Sequence, residues 1–112
     1  MTDYWHGGRY PLDGRLEPQP TMRAGVPGDG YVYITTERDL AATYAATLPG
    51  SWVMQVVPVG DVEPDPDSIL GTSFRCRGAV VVRRYTISNA ERATRAAAVG
   101  VYSSQDSGEG DR

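Results

Sequence analysis

The clearest pattern of apolar and polar positions lies near the middle of the chain, where a strand pattern changes directly into a helix pattern. Residues 31–35 are all β-branched or aromatic, which is typical of a pleated strand. Leu40, Tyr44 and Leu48 then recur at steps of four and predict a helix with one apolar face. Tyr33 is therefore predicted to lie near the end of a strand, where a following helix holds side chains rigidly in a cleft.

Local signals set the expected ends of two helices. Thr36 is predicted to be the N-cap of the first helix, and Pro49-Gly50 is predicted to end it. Ser88-Asn89-Ala90-Glu91 has the spacing of a capping box and predicts a second, short helix. We expect that helix to run to about Val99, with Gly100 as its stop signal.

The remaining apolar runs predict strands. They are residues 3–8, 52–59, 73–77 and 79–87, of which the last is the most apolar and is expected to be buried. Residues 11–30 are rich in proline and glycine and predict a long mobile loop that forms a wall of a binding pocket. Strands outnumber helices and few crossover helices separate them, so we predict an α+β fold with a mainly antiparallel sheet set and one or two helices outside it.

Length and charge narrow the possibilities further. The 112 residues predict a single domain over residues 1–102, followed by a disordered acidic tail over residues 103–112. The net charge of −3 argues against a nucleic-acid partner. The single cysteine, Cys76, excludes an internal disulfide and fits a reducing compartment. With neither a signal-peptide pattern nor a membrane-length apolar run, we expect a cytoplasmic monomer that does not contact a membrane.

Three residues are candidates for chemistry, and each also has an ordinary structural explanation. His6 is the only histidine and is followed by two glycines; it is either a terminal surface residue or a group that hydrogen-bonds a ligand. A metal site is not expected, because there is no second histidine and no cysteine pair. Tyr33 fits packing as well as binding. Asp65 is either a solvated loop carboxylate or, between Pro64 and Pro66, a stiffly presented catalytic group.

Short motifs, taken in order, resemble the rifampin ADP-ribosyltransferases, which are small bacterial enzymes that inactivate rifamycin antibiotics with NAD. The resemblance covers most of residues 4–84. The motifs are Tyr4-Trp5-His6-Gly7-Gly8, Val32-Tyr33-Ile34-Thr35 with its Ala-rich helix, Val57-Pro58-Val59-Gly60, Glu63-Pro64-Asp65-Pro66, Ser73-Phe74-Arg75 and the strand Ala79–Val82.

The resemblance implies a fold, a site and a reaction. The fold would be that of the toxin-like ADP-ribosyltransferases, two packed, mostly antiparallel sheets with a central cleft. His6, Tyr33 and Asp65 would form the catalytic triad. NAD, as co-substrate, would contact His6, Gly7, Gly8 and Tyr33, although the family usually has Thr where this chain has Gly8. ADP-ribose would move to a hydroxyl of a small molecule, a rifamycin in that family, with release of nicotinamide and without a metal.

The chemistry of the reaction agrees with this set of residues. Breaking the nicotinamide–ribose bond develops positive charge on the ribose, and a fixed carboxylate stabilises that charge. The acidic segment alternates regularly, so the direction of the side chain does not distinguish Asp65 from Asp61, Glu63 and Asp67. The spacing within the motif selects Asp65. Asp67 is its rival, and Glu63 is a candidate supporting partner.

Two alternatives to a small-molecule acceptor remain open. One is an ADP-ribosyltransferase that acts on a protein or a nucleic acid. The other is a non-catalytic module of the same fold that binds a nucleotide or a partner protein.

Overall fold

The computed structural model describes residues 2–19, 21–23 and 26–107. Its helices and strands, in chain order, are β1 (Tyr4–Gly8), β2 (Arg15–Leu16), β3 (Thr21–Arg23), β4 (Val26–Pro27), β5 (Val32–Thr35), α1 (Arg38–Ala46), β6 (Trp52–Val59), β7 (Glu63–Pro64), β8 (Ser73–Cys76), β9 (Gly78–Tyr85) and α2 (Asn89–Ser107). Within these ranges, no helix is both long enough and apolar enough to cross a membrane.

The predicted α+β class with an antiparallel sheet is confirmed, but the arrangement of the strands differs from two packed sheets. Seven strands form one sheet in the order β2-β9-β6-β1-β5-β8-β7, and β3 pairs only with β4. Every residue of β1 pairs with β6, whereas β1 and β5 share the single register pair Trp5–Thr35. The sheet is therefore continuous through one weak junction, which we call the seam.

The segment expected to be a long loop contains three short strands among its described residues. Arg15 and Leu16 pair with β9, and residues 21–23 pair with residues 26–27. Residues 20, 24 and 25 of the segment lie outside the described residues, and its mobility stays a prediction.

The face of α1 that packs on the sheet is not the predicted one. Its buried residues are alanines, namely Ala41, Ala42, Ala45 and Ala46, while Tyr44 is 62% exposed and Leu48 is 46% exposed. The reason is close packing on β1, since a Cβ atom on Gly7 would lie 2.0 Å from the carbonyl oxygen of Ala41. With the helix backbone this near the strand, only small side chains fit between them.

The N-terminus of α1 also differs from the prediction. The helix begins at Arg38, and its N-cap residue is Glu37, which makes no side-chain capping bond. The hydroxyl of Thr36 lies 3.4 Å from the carbonyl oxygen of Thr72, so Thr36 ties the loop to the segment before β8. The predicted Thr36 cap is wrong because the helix begins one residue later than that cap requires, so that Glu37 is the N-cap residue.

For α2, the predicted start is confirmed and the predicted end is wrong. The Ser88 hydroxyl accepts a hydrogen bond from the Glu91 backbone N–H at 3.0 Å, as expected for an N-cap. The helix continues through Gly100 to Ser107. A single glycine costs a helix only about 1 kcal/mol, so it does not force an end. Residues 108–112 of the expected tail lie outside the described residues, and the division of the chain at residue 102 stays a prediction.

The strand β9 is less buried than its apolar sequence predicts. Ala79 is buried, whereas Val82, Arg83 and Arg84 are exposed. One edge of β9 pairs with β6, and on the other edge Ala79 and Val80 pair with β2.

Candidate functional site

A cleft of about 440 Å³ opens where β1 and β5 diverge beyond the seam. Residues of β1 and β5 form its floor, α1 forms one wall, and the segment around β7 and β8 forms the opposite wall. The lining residues are Trp5, His6, Gly7, Asp29, Tyr33, Ile34, Thr35, Leu40, Tyr44, Asp65, Asp67 and Ser73. His6, Gly7, Tyr33 and Asp65, all predicted from the sequence, thus share one cleft.

His6 links the two strands at the place where their ladder stops. Its Nδ1 lies 2.7 Å from the carbonyl oxygen of Tyr33. Since a carbonyl only accepts, Nδ1 carries the proton and Nε2 keeps its lone pair. Burial lowers the pKa of His6 below its usual 6.5, and the bond to the Tyr33 carbonyl opposes this only in part. His6 is therefore a neutral imidazole in the cleft at neutral pH.

Gly8, expected beside Gly7 at the cofactor, lies next to the imidazole ring of His6 and is not among the residues that line the cleft. It is buried, and a Cβ atom there would lie 3.0 Å from Nε2 of His6. The missing side chain leaves room for the imidazole ring. Gly7 does line the cleft, and it also packs against the backbone of α1.

Tyr33 is held by a residue that the sequence did not single out. Its hydroxyl donates a hydrogen bond to Oδ2 of Asp29, and Oδ1 of Asp29 accepts the backbone N–H of Tyr31 at 3.1 Å. The bond to Asp29 is the main reason that the pKa of Tyr33 is raised above its usual value. The signal for Asp29 is its position between two glycines just before a strand, because a carboxylate on such a turn caps the chain that follows.

Two arginines contact the turn that contains Asp29. Arg77 donates to the carbonyl oxygen of Gly30 at 2.8 Å. The guanidinium groups of Arg75 and Arg77 lie over the ring of Tyr31, at 4.1 and 4.3 Å from its centroid. Arg75 also donates to Oε1 of Glu63 at 2.5 Å, so Glu63 is engaged with Arg75. These contacts hold the loop that contains Asp29 in place beside the cleft.

Asp65 lies at the start of a tight turn. Its Oδ1 accepts the backbone N–H of Asp67 at 2.9 Å, and its carbonyl accepts the N–H of Ser68 at 3.0 Å. Its own N–H donates to the carbonyl oxygen of Ser73 at 3.1 Å, which ties the turn to β8. One carboxylate oxygen therefore fixes the turn and the other is left for a ligand. Asp67, the rival of Asp65, lines the same cleft.

The cleft is lined by an apolar wall and by carboxylates. Trp5, Leu40 and Tyr44 supply apolar and aromatic surface. Asp29, Asp65 and Asp67 supply three carboxylates, and within the described ranges there is no group of side chains suited to hold a metal ion. Such a cleft suits a flat, positively charged organic group better than an anion. Of residues 11–30, Asp29 is the described residue that lines it.

No protein-family model matches the chain, and no curated protein matches its sequence. The ordered motifs and the geometry of the cleft are therefore the basis for an assignment of function.

Proposed function

We propose that this protein is an NAD-dependent ADP-ribosyltransferase that modifies a hydroxyl group on a small molecule. The observation that carries the proposal is the convergence of His6, Gly7, Tyr33 and Asp65 on one cleft. These residues come from three separate parts of the chain, and the order of their motifs in the sequence also points to a role in NAD chemistry. A shared cleft is what a common site requires.

The proposed reaction exchanges one bond for another at the anomeric carbon of the nicotinamide ribose. The bond from that carbon to the ring nitrogen breaks, and nicotinamide leaves as a neutral molecule with the bonding electrons. The acceptor oxygen forms the new bond, and its proton passes to a base, which in this cleft is a carboxylate. Asp65 stabilises the cationic ribose during the exchange and then takes the proton.

The other lining residues suit the remaining parts of the ligand. Tyr33 and Tyr44 offer rings on which a nicotinamide ring stacks. The neutral His6 leaves Nε2 as an acceptor for a ribose hydroxyl. Gly7 lines the cleft, and we assign its backbone to the carboxamide of nicotinamide.

The acceptor is inferred from the apolar wall and from the family resemblance together. Trp5, Leu40 and Tyr44 give the cleft surface for a large apolar molecule. A rifamycin, the acceptor in the family that the motifs resemble, meets this requirement. A nucleic-acid acceptor is disfavoured, because three carboxylates repel phosphate groups.

The test measures NAD binding and nicotinamide release by the purified chain. We expect saturable NAD binding, slow nicotinamide release without an acceptor, faster release with rifampin, and a rifampin product heavier by one ADP-ribosyl group. Faster release with a protein extract but not with rifampin would move the acceptor to a protein. Binding without release would favour the non-catalytic module, and no binding would remove the proposal. His6→Ala is the companion variant, expected to weaken NAD binding by roughly 1–3 kcal/mol.

A further inference from the structure

A second groove, of about 560 Å³, lies beside the end of β1 and the start of β6. None of its lining residues lines the cleft described above. They are Arg9, Tyr10, Pro49, Gly50, Trp52 and Arg84. The groove is thus built from the segment after β1, the turn between α1 and β6, and the far end of β9.

Aromatic rings hold one of the two arginines in place. The guanidinium of Arg84 lies over the ring of Tyr10 at 4.1 Å and over the ring of Trp52 at 4.5 Å, measured to the centroids. A guanidinium that contacts rings through its face keeps the N–H groups at its rim for other partners. Arg84 is therefore positioned in advance, and an anion that binds it does not have to order it.

Arg9 adds a second positively charged residue to the groove. Arg9 is exposed and lines the same groove. Among the residues that the structure describes, the ion pairs involve Arg75 and Arg95, and neither Arg9 nor Arg84 has a carboxylate within 4.0 Å. Two like charges in one groove repel each other, and a bound anion removes that repulsion. This concentration of positive charge occurs in a chain whose net charge is −3.

We propose that this groove binds a phosphate or pyrophosphate group through Arg9 and Arg84. Guanidinium groups bind phosphate oxygens in pairs, and two of them match the two negative charges of such a group. The pyrophosphate of NAD and a separate phosphate-bearing molecule are the two sources of this chemistry.

The geometry of β1 favours NAD as the source of the bound pyrophosphate, an inference that rests on the proposed function. Gly7 lines the cleft, and Arg9 lines the groove. The two residues are two positions apart, a separation of roughly 7 Å along an extended chain. NAD has a cationic nicotinamide ring at one end and an anionic pyrophosphate beyond the ribose. The carboxylates of the cleft and the arginines of the groove have the complementary order of charges.

The experiment compares four probes at low salt by calorimetry. They are inorganic pyrophosphate, ADP-ribose, NAD and nicotinamide riboside, which has the cationic ring but no phosphate. The variants are Arg9→Gln and Arg84→Gln, with Arg84→Lys to keep the positive charge beside the rings. Arg83→Gln is the matched control, because it is exposed on the same strand, removes the same charge and does not line the groove. Thermal unfolding checks that each variant is folded.

We expect Arg9→Gln and Arg84→Gln each to weaken pyrophosphate binding about tenfold to a hundredfold, with Arg83→Gln near wild type. Parallel losses for ADP-ribose and NAD, with nicotinamide riboside unaffected, identify NAD as the source. A loss for pyrophosphate alone supports the groove but assigns it to a separate phosphate-bearing molecule, and it leaves the proposed function untouched. No pyrophosphate binding by the wild type, or equal losses in Arg83→Gln, would overturn the phosphate site even if NAD binds in the cleft.

Discussion

At the scale of single residues, Asp65 combines a structural and a proposed catalytic role, and the choice of substitution separates them. Asn keeps a side-chain oxygen that accepts the Asp67 N–H, so Asp65→Asn preserves the turn but removes the charge. We expect nicotinamide release to fall about 10²–10³-fold, with little change in NAD affinity. The measurement is kcat for this variant beside Asp67→Asn.

Asp61→Asn serves as the control for that pair, since Asp61 is exposed and does not line the cleft. A large loss in Asp67→Asn with full activity in Asp65→Asn would transfer the role to Asp67. Full activity in both would leave the proposed reaction without its carboxylate.

His6 should give the stability of the protein a pH dependence with a defined sign. Its pKa is lower in the folded protein than the ordinary 6.5, so below that pH the unfolded chain binds more protons than the folded one. Stability should therefore be complete above about pH 6.5 and fall as the pH drops toward the folded pKa. His6→Asn, whose amide also donates to the Tyr33 carbonyl, should lose this component.

The measurement for His6 is urea unfolding of both proteins at a series of pH values between about pH 5 and pH 7.5, the range in which histidine titrates. Identical slopes in wild type and His6→Asn would show that the pKa of His6 is the same in the folded and unfolded states.

Asp29 should control the ionisation of Tyr33. Because the hydrogen bond to Asp29 is the main cause of the raised pKa of Tyr33, Asp29→Ala should lower that pKa toward the usual value near 10. An NMR pH titration measures it, with Tyr33→Phe to assign the signal. Asp13→Ala is the control, since Asp13 accepts a backbone N–H in the same segment but does not line the cleft. An unchanged titration in Asp29→Ala would mean that the contact does not form in solution.

At the scale of secondary structure, the contact between β1 and α1 determines which side chains face the cleft. Since Gly7 brings the helix backbone onto the strand, the alanines fill the contact while Leu40 and Tyr44 are left to line the cleft. The same contact thus supports the fold and creates the apolar wall of the proposed binding site.

Gly7→Ala tests that contact. The added Cβ would meet helix backbone, which cannot rotate away, so the helix must shift; we expect a loss of roughly 1–3 kcal/mol or more in the free energy of unfolding. Gly78→Ala is the matched control in another strand, because its Cβ would lie 3.4 Å from the nearest atom, an ordinary contact. Chemical denaturation measures both. Equal stability of the two variants would show that α1 does not pack this closely on β1.

At the scale of the whole molecule, Arg92 joins α2 to the rest of the fold. Its Nη1 donates to the carbonyl oxygens of Ala45 at 2.7 Å and Leu48 at 3.2 Å, and its Nη2 donates to that of Ser51 at 3.3 Å. The carbonyls at the C-terminal end of α1 carry the negative end of the helix dipole, so a cation from α2 is stabilising there.

Arg92→Met should lower the free energy of unfolding by about 1.5–3 kcal/mol, the range for hydrogen bonds to a charged group. Methionine keeps most of the apolar stem of arginine, so the loss reports on the donors. Arg92→Ala removes the stem as well and should lose more. Thermal or urea unfolding measures both, and a methionine variant as stable as wild type would show that the three bonds contribute nothing net.

The division of charge is also a property of the whole molecule. Asp29, Asp65 and Asp67 come from two distant segments and meet at the cleft, while Arg9 and Arg84 meet at the groove. A net charge of −3 does not reveal this separation, because it is created by the order of strands in the sheet.

Local sequence patterns account for the features that depend on neighbours along the chain. The strands around His6, Tyr33 and Val56 and the Ser88 cap follow from alternation and spacing within a few residues. The α+β class follows from the number of such elements. The convergence of His6, Tyr33 and Asp65 on one cleft was predicted through motif order and agrees with the structure.

The remaining features depend on which helices and strands approach each other in the folded protein. The buried face of α1 was mispredicted because periodicity ranks Leu40 and Tyr44 as core, whereas contact with Gly7 admits only alanine. Thr36 precedes the N-cap residue Glu37, and its hydroxyl donates to the carbonyl oxygen of Thr72, 36 positions away in the chain. The sequence does not single out Asp29, because its role depends on a hydrogen bond with Tyr33 across a turn. The seam between β1 and β5, which opens the cleft, is a property of strand pairing, and no local pattern encodes it.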